Sequence, residues 1–284
     1  MKMVNQIAIK MGNKTEIDKT EDVPDTSPFF DISQPNLARI FNYLIGGSAH
    51  FEVDREEAER MLTIMPSLRK WTRLRRAFVQ EAVFDLDQKG FKQFIDLAAG
   101  MPAEDHIHHF LPRADIVYSD INPVAISHGN SLFANLPRVN YLMGDAKKID
   151  QFLINLTNEQ LINGNEKVAI GLNALFLFLS PSECKQLAQE LYDWAPQGSQ
   201  IFLAFQTRAD IPLSTNYQQY IERTKRVGLP LQLYLFDQYV DMLKPWQPLF
   251  VEPLPKYLGL PDDFMTDEDQ EGIGVAFYAA FLGK

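Results

Sequence analysis

The stretch Gln93-Phe94-Ile95-Asp96-Leu97-Ala98-Ala99-Gly100-Met101-Pro102, with its continuation Asp115-Ile116-Val117-Tyr118-Ser119-Asp120-Ile121-Asn122-Pro123, decides the fold. It reads as strand, small-residue turn, helix and second strand, with an aspartate at the end of each β-rich run. In an open α/β sheet, ligands bind beyond the carboxyl ends of the strands, so both aspartates face one crevice. An acid ending the second strand is placed to take two ribose hydroxyls. The dinucleotide fingerprint needs three glycines after the first strand, whereas this loop has only Gly100. A cofactor with a ribose but no pyrophosphate, such as S-adenosylmethionine, fits better than a nicotinamide or flavin dinucleotide.

Downstream, strands and helices alternate, which predicts a mostly parallel sheet with helices on both faces. Val124–Ala134 reads as a helix, Arg138–Met143 as the third strand, Lys167–Leu172 as the fourth and Gln200–Phe205 as the fifth. Ser180-Pro181-Ser182-Glu183 opens a helix. Residues 212–244 read as a helical insertion over the crevice. Pro248–Glu252 and Gly274–Leu282 read as a closing antiparallel pair around an acidic loop, 262–271.

Upstream, Pro35 suits the first turn of a helix carrying Leu37, Ile40, Phe41 and Leu44, and Gly46-Gly47 stops it. A second helix is expected from about Asp54, with Ala58, Met61, Leu62 and Met65 on one face. A third follows Ser67, striped by Leu68, Trp71, Leu74, Phe78, Ala82 and Leu86. On that third helix Arg69, Arg73 and Arg76 project together, as a solvated face or as a docking strip for an acidic carrier or anionic substrate. The expected organisation is a mobile leader 1–28, an N-terminal helical lobe 29–90 and a sheet domain 91–284. A hairpin through Gln6-Ile7-Ala8-Ile9 is the alternative to the mobile leader.

Composition narrows the class. The 284 residues are 46% hydrophobic and 23% charged, ordinary for a globular enzyme with a sizeable core, and no apolar run is long enough for a membrane span. No secretory signal is legible at the N-terminus. A single cysteine excludes an internal disulfide and fits a reducing compartment, the cytoplasm. A net charge of −10 argues against non-specific nucleic-acid binding.

Three motifs in order then amount to a resemblance. Leu37-Ala38-Arg39-Ile40-Phe41-Asn42-Tyr43-Leu44-Ile45-Gly46-Gly47-Ser48-Ala49-His50-Phe51, through Asp54-Arg55, resembles the signature A-R-x-Y-D-Y-x-L-G-G-K-D-N-F-x-x-D-R of a bacterial S-adenosylmethionine-dependent methyltransferase family. The family's F-L-D-I-G-x-G-L-P-T-x-x-N-x-H is matched by Phe94–Ala103 with His108 at its last position, and its V-Y-x-D-x-D-P-V by Val117–Val124. Ser48-Ala49 stands where the signature has Lys-Asp, Ala98 where the loop has its first glycine, and His106 where it has asparagine.

The resemblance implies a class I methyltransferase, a Rossmann-like α/β sheet that binds S-adenosylmethionine. By that implication Asp96 and Ala98 shape the loop around Gly100 at the methionine end, Asp120 takes the ribose and Ile121 stacks on adenine. Asp145, with Ala146 beside it, meets the adenine amino group, and Asn173 lies beside the reactive centre. Tyr43, Gly46 and Gly47 close over the cofactor. His50 and His108 are the candidate catalytic bases, with His106 and His109 beside them, each with a structural alternative. A metal held by His106, His109 and Asp105 is the weaker reading, and none is expected. Cys184, near a helix N-terminus, reads as a half-buried spectator or as a thiol of lowered pKa. Phe176, Phe178, Trp194, Tyr234, Phe236 and Trp246 line an apolar acceptor pocket or form ordinary core. The implied activity is methyl transfer to a small-molecule acceptor, in secondary metabolism, with no nucleic-acid or membrane partner. The alternative is a cofactor-binding regulatory or partner subunit without turnover, favoured by the Ser48-Ala49 departure.

Overall fold

In the computed structural model, residues 31–103, 106–228, 230–261 and 263–284 are described. The expected leader 1–28, its alternative hairpin and Asp105 lie outside them.

β1 (Gln93–Leu97), β2 (Asp115–Asp120), β3 (Val139–Met143), β4 (Ala169–Gly171) and β5 (Gln200–Thr207) run parallel, and β6 (Gln247–Pro253) and β7 (Ala276–Gly283) complete the sheet. The order is β3-β2-β1-β4-β5-β7-β6, with β7 antiparallel to both neighbours. The order reverses direction at β1, and there the ends of β1 and β4 part to open a crevice. Register sets Asp96 opposite Tyr118 on one side and Gly171 on the other.

The helices are α1 (Leu37–Ile45), α2 (Glu52–Ile64), α3 (Leu68–Gln88), α4 (Ile107–Phe110), α5 (Pro123–Leu132), α6 (Ile149–Asn158), α7 (Pro181–Trp194), α8 (Thr215–Arg226), α9 (Phe236–Met242) and α10 (Leu254–Tyr257). Strand alternation divides the core into two layers. Phe94, Ile116 and Tyr118 point to the layer with the stripe of α3, while Ile95, Leu97 and Val117 point to the layer of α6 and α7. Asp96 shares a face with Phe94, so its carboxyl lies under α3 rather than α7. Trp71 of α3 stacks on Phe277 of β7, tying the N-terminal helices to the sheet.

The ends of α1 follow from local chemistry. Asn36 caps it, its side chain accepting from the backbone N–H groups of Ala38 and Arg39, which stabilises by about 1 kcal/mol. Gly46 ends it at φ +94, a conformation that favours glycine. Pro35 therefore precedes the cap instead of entering the first turn. Helix α2 begins at Glu52, earlier than expected, because Asp54 does more than complement a dipole. Its carboxylate accepts from Phe51 N at 2.8 Å and from Asn36 N at 2.9 Å, and it pairs with Arg39 Nε at 2.7 Å. Arg39 and Asp54 are 1% and 0% exposed, so the two helices are joined by a buried ion pair.

The segment 212–244 holds two helices with different allegiances. Arg223 of α8 pairs with Glu57 of α2 at 2.8 Å, while α9 packs on α7 across the sheet. Of the described residues in this segment, only the turn after α8, at Val227, Gly228 and Pro230, borders the crevice.

Candidate active site

Two adjoining cavities occupy the crevice. The larger, about 310 Å³, lies beyond β2 and β3 and is lined by Leu97, Asp120, Ile121, Asp145, Ala146 and Lys147 below and by Asn36, Leu37, Ala38 and Phe41 of α1 above. The smaller, about 180 Å³, lies beyond β1 and β4 and is lined by Asp96, Ala99, Met101, His106 and Asn173, with Thr72, Arg75, Arg76 and Val79 of α3. Ala38, Phe41, Ala98, Gly100, Leu175 and Phe178 border both.

The floor is built by a strained turn. Ala98 sits at φ +56 and Gly100 at φ +73, while Ala174, next to Asn173, sits at φ +59. A left-handed alanine costs about 1–2 kcal/mol relative to glycine. Of four non-glycine residues at positive φ among the described residues, two border the smaller cavity, the clustering expected where backbone shape serves a site. Asp120 fixes this loop: Oδ2 accepts from Gly100 N at 2.8 Å, and Oδ1 from Asn122 N at 2.9 Å. Asn122 caps α5 and donates from Nδ2 to Asn36 Oδ1 at 3.2 Å. A continuous line of hydrogen bonds thus runs from Asp54 through Asn36 and Asn122 to Asp120.

Burial sets the titration of the site. It raises the Asp96 carboxyl to about 6, against the nearby Asn173 amide and Arg76, which pull it down. Burial also raises Asp120, with the Asn122 and Gly100 N–H groups opposing. His106, 4% exposed, is pulled well below the usual imidazole range by burial, with Arg76 adding to the effect, so it is neutral at pH 7. Two buried polar atoms bordering the smaller cavity, His106 Nδ1 and Asn173 Nδ2, have no hydrogen-bond partner.

Asp96, Ala98, Gly100, Asp120, Ile121, Asp145, Ala146 and Asn173 thus come together around one crevice. Tyr43, Gly46 and Gly47 border neither cavity. Tyr43 turns outward, its hydroxyl donating to Glu59 at 2.6 Å and its ring lying 5.2 Å from the Arg69 guanidinium carbon. Gly47 packs on the Asn42 side chain, which would lie 2.4 Å from a Cβ there. His50 also sits outside, with Nε2 on Gly47 O at 3.0 Å and Nδ1 on Arg55 at 3.3 Å. His108 packs against Phe133 and its ring meets the Tyr118 hydroxyl at 3.2 Å, away from both cavities. Of the expected acceptor aromatics only Phe178 borders a crevice cavity. Phe176, Tyr234 and Trp246 are buried in the opposite layer, where Trp194 and Phe236 also pack.

Arg69, Arg73 and Arg76 do not form one strip: Arg69 pairs with Glu59, Arg73 is exposed and Arg76 borders the smaller cavity. Burial pushes the Cys184 thiol up to about 12, overriding any lowering by its helix. Among the described residues no group of three or more His, Cys, Asp or Glu side chains could hold a metal.

Thr72, Arg75 and Val79 were not legible as site residues, and Arg76 was read only within a strip with Arg69 and Arg73, although the i, i+3, i+4, i+7 spacing of 72, 75, 76 and 79 is a signal that they share one helix face. Phe41, read as a core position, is half-buried at the junction of the cavities.

A mostly parallel sheet in this order, with an acid at the end of the second strand and a strained loop after the first, defines a class I methyltransferase fold. The sequence profile of the S-adenosyl methyltransferase family matches residues 24–245, and the chain belongs to that family. Its cofactor is S-adenosylmethionine. The crevice fits that group: donors and acceptors are split between a cavity ending in carboxylates at β2 and β3 and one holding two unpartnered polar atoms.

No curated protein matches the chain. Among solved structures, it is similar to a DUF574 family protein from Streptomyces avermitilis, with TM-score 0.77 and 21% identity, over 89% of this chain and 99% of that one. It is also similar to a candidate methyltransferase from Thermobifida fusca, with TM-score 0.74 and 23% identity, over 93% and 99%. Geranyl diphosphate C-methyltransferase from Streptomyces coelicolor shares the fold more distantly, with TM-score 0.51 and 10% identity over 88% and 87%. Among the described residues no helix is long and apolar enough to cross a membrane.

Proposed function

We propose that this chain methylates a small-molecule acceptor held in the smaller cavity, in the cytoplasm and as part of secondary metabolism. The observation that carries the reading is the state of Asp120. Its two oxygens accept the backbone N–H groups of Gly100 and Asn122, at 2.8 and 2.9 Å, with the Ile121 N–H acting on the same carboxylate, so the acid is held in a fixed orientation at the strand end. A carboxylate offers about four acceptor positions, and the capacity that remains suits the hydroxyls of a ribose. Ile121, 40% exposed beside the larger cavity, supplies an apolar face for adenine, and Asp145 with Ala146 lies at its far wall.

Bound S-adenosylmethionine supplies an electrophilic methyl group on a sulfonium. The chain's own residues then position and exclude water. Gly100 and Ala98 present backbone to the methionyl end, Asp96 and Arg76 face its ammonium and carboxylate, and Asn173 directs Nδ2 toward the reacting region. Direct displacement gains most of its acceleration from such positioning. In this reading the described part of the N-terminal lobe, residues 31–90, is a lid over the sheet domain, and the segment from Ala38 to Arg55 builds that lid: Arg39 and Asp54 join its helices, and Asn36 and Phe41 touch the crevice. Tyr43, Gly46 and Gly47 support the lid from outside. His50 belongs to the same support, His108 packs on Tyr118 and Phe133 beside the sheet, and His106 is the histidine that borders the acceptor cavity.

Calorimetric titration with S-adenosylmethionine and S-adenosylhomocysteine tests the reading, on wild type and Asp120→Ala. Micromolar binding by wild type and its loss in the variant are expected. Failure of wild type to bind either ligand would overturn it.

A further inference from the structure

Resting on that reading of the cavities, we propose that Arg75 anchors a carboxylate of the methyl acceptor, so that the substrate is a small, otherwise apolar carboxylic acid. Arg75 borders the smaller cavity, with its guanidinium carbon 5.5 Å from the centre of the Phe41 ring at the junction with the larger one. Arg39, Arg55, Arg60, Arg69 and Arg223 each close a salt bridge with a carboxylate. Arg75 closes none among the described residues. The titratable groups whose fields reach it are the phenols of Tyr220, Tyr239 and Tyr217, none of them an anion at neutral pH. A half-buried guanidinium set against the Phe41 ring, without a counter-charge in a protein of net charge −10, keeps its fork of donors open to an anion that enters the cavity.

The two arginines of this cavity are separated by what they face. Arg76 acts on Asp96, His106 and Tyr118, beyond β1 and β2 where the methionyl end lies. Arg75 acts on the tyrosines of α8 and α9 instead, on the β5 side, where Gln206 donates to the Tyr217 hydroxyl at 3.0 Å and Phe205 packs against Tyr239. An anion meeting Arg75 therefore comes from the acceptor and not from the cofactor. One planar guanidinium matches one carboxylate in bidentate geometry. Phe41, Val79 and Phe178 make the surroundings apolar, which suits a hydrocarbon or aryl body. Asn173, whose amide also acts on Asp96, lies in the same cavity.

The test uses the full chain saturated with S-adenosylhomocysteine and three pairs of probes: benzoate, phenylacetate and cinnamate, each with its primary amide. At least one carboxylate is expected to bind tenfold or more tightly than its amide. Arg75→Gln is expected to erase that preference and Arg75→Lys to keep part of it. The two sources of carboxylate are told apart by titrating wild type and Arg75→Gln with S-adenosylhomocysteine and with 5′-methylthioadenosine, which lacks the amino-acid tail. Changes within twofold for both support an acceptor anchor. A tenfold loss for S-adenosylhomocysteine alone would place the cofactor's own carboxylate on Arg75 and overturn the proposal. Equal binding of acids and amides by wild type would overturn it without any variant. Absence of S-adenosylhomocysteine binding by wild type would instead count against the underlying cofactor reading, and this proposal would fall with it.

Discussion

Replacing Arg39 by methionine tests whether the buried pair carries the N-terminal helices. The guanidinium lies 2.7 Å from Asp54 with both side chains essentially inaccessible. Methionine fills much of the volume but leaves a buried carboxylate without counter-charge. Breaking one partner of such a pair costs about 3–5 kcal/mol. Asp54 keeps two backbone donors, Asn36 N and Phe51 N, so the lower end, about 3 kcal/mol, is expected. For a chain of this size that corresponds to a melting temperature lower by roughly 6–9 °C. Urea unfolding with and without the substitution measures it as a shift in midpoint at unchanged slope. Arg39→Lys, which keeps the charge but loses the fork to Asp54 and the Gln34 carbonyl, should fall between. A loss below about 1 kcal/mol for Arg39→Met would refute the reasoning, because it would mean that solvent or rearrangement compensates the carboxylate.

Asp96 makes stability depend on pH. Its folded pKa of about 6 lies above the ordinary 3.8, so its contribution is full below about 3.8 and is lost as pH rises through about 6. Asp96→Asn should flatten the fall in urea midpoint between pH 4 and 7, and an unchanged slope would count against the assignment. Ala98→Gly should stabilise by about 0.5–1 kcal/mol, since it relieves a left-handed alanine while adding freedom to the unfolded chain; a lower urea midpoint would speak against that balance. Gly47→Ala should destabilise by about 1–3 kcal/mol, because the new methyl meets the Asn42 side chain that accepts from Ala49 N, and a thermal shift assay reads it. Native Cys184 should resist iodoacetamide at pH 8 and react once urea unfolds the chain, as mass spectrometry would record.

The sheet was legible because its signals are local. Alternation and terminal aspartates mark β1 and β2, and the capping pair Ser180 and Glu183 marks α7. The β-side floor of the site followed from those strand ends. The helical wall of the crevice did not, because a helical wheel says which residues share a face but not what the face meets. Thr72, Arg75, Arg76 and Val79 share a face that could equally have met solvent; the placement of α1 over the sheet turns it inward. Tyr43 is the reverse case, since Glu59 and Arg69 on neighbouring helices hold it outside. Likewise the segment 212–244 reads as one amphipathic stretch, and only packing sends α8 to α2 and α9 to α7.

On the proposed assignment of Asp120 to the ribose, the hydrogen-bonded line from Asp54 to Asp120 couples ribose affinity to the order of the first two helices. A nucleoside seated on Asp120 should slow amide exchange at Ala38 and Arg39, and a substitution that loosens Arg39 should appear in calorimetry as a weaker cofactor site. On that assignment, loosening the join between the first two helices and weakening the hold on the methyl donor are a single change.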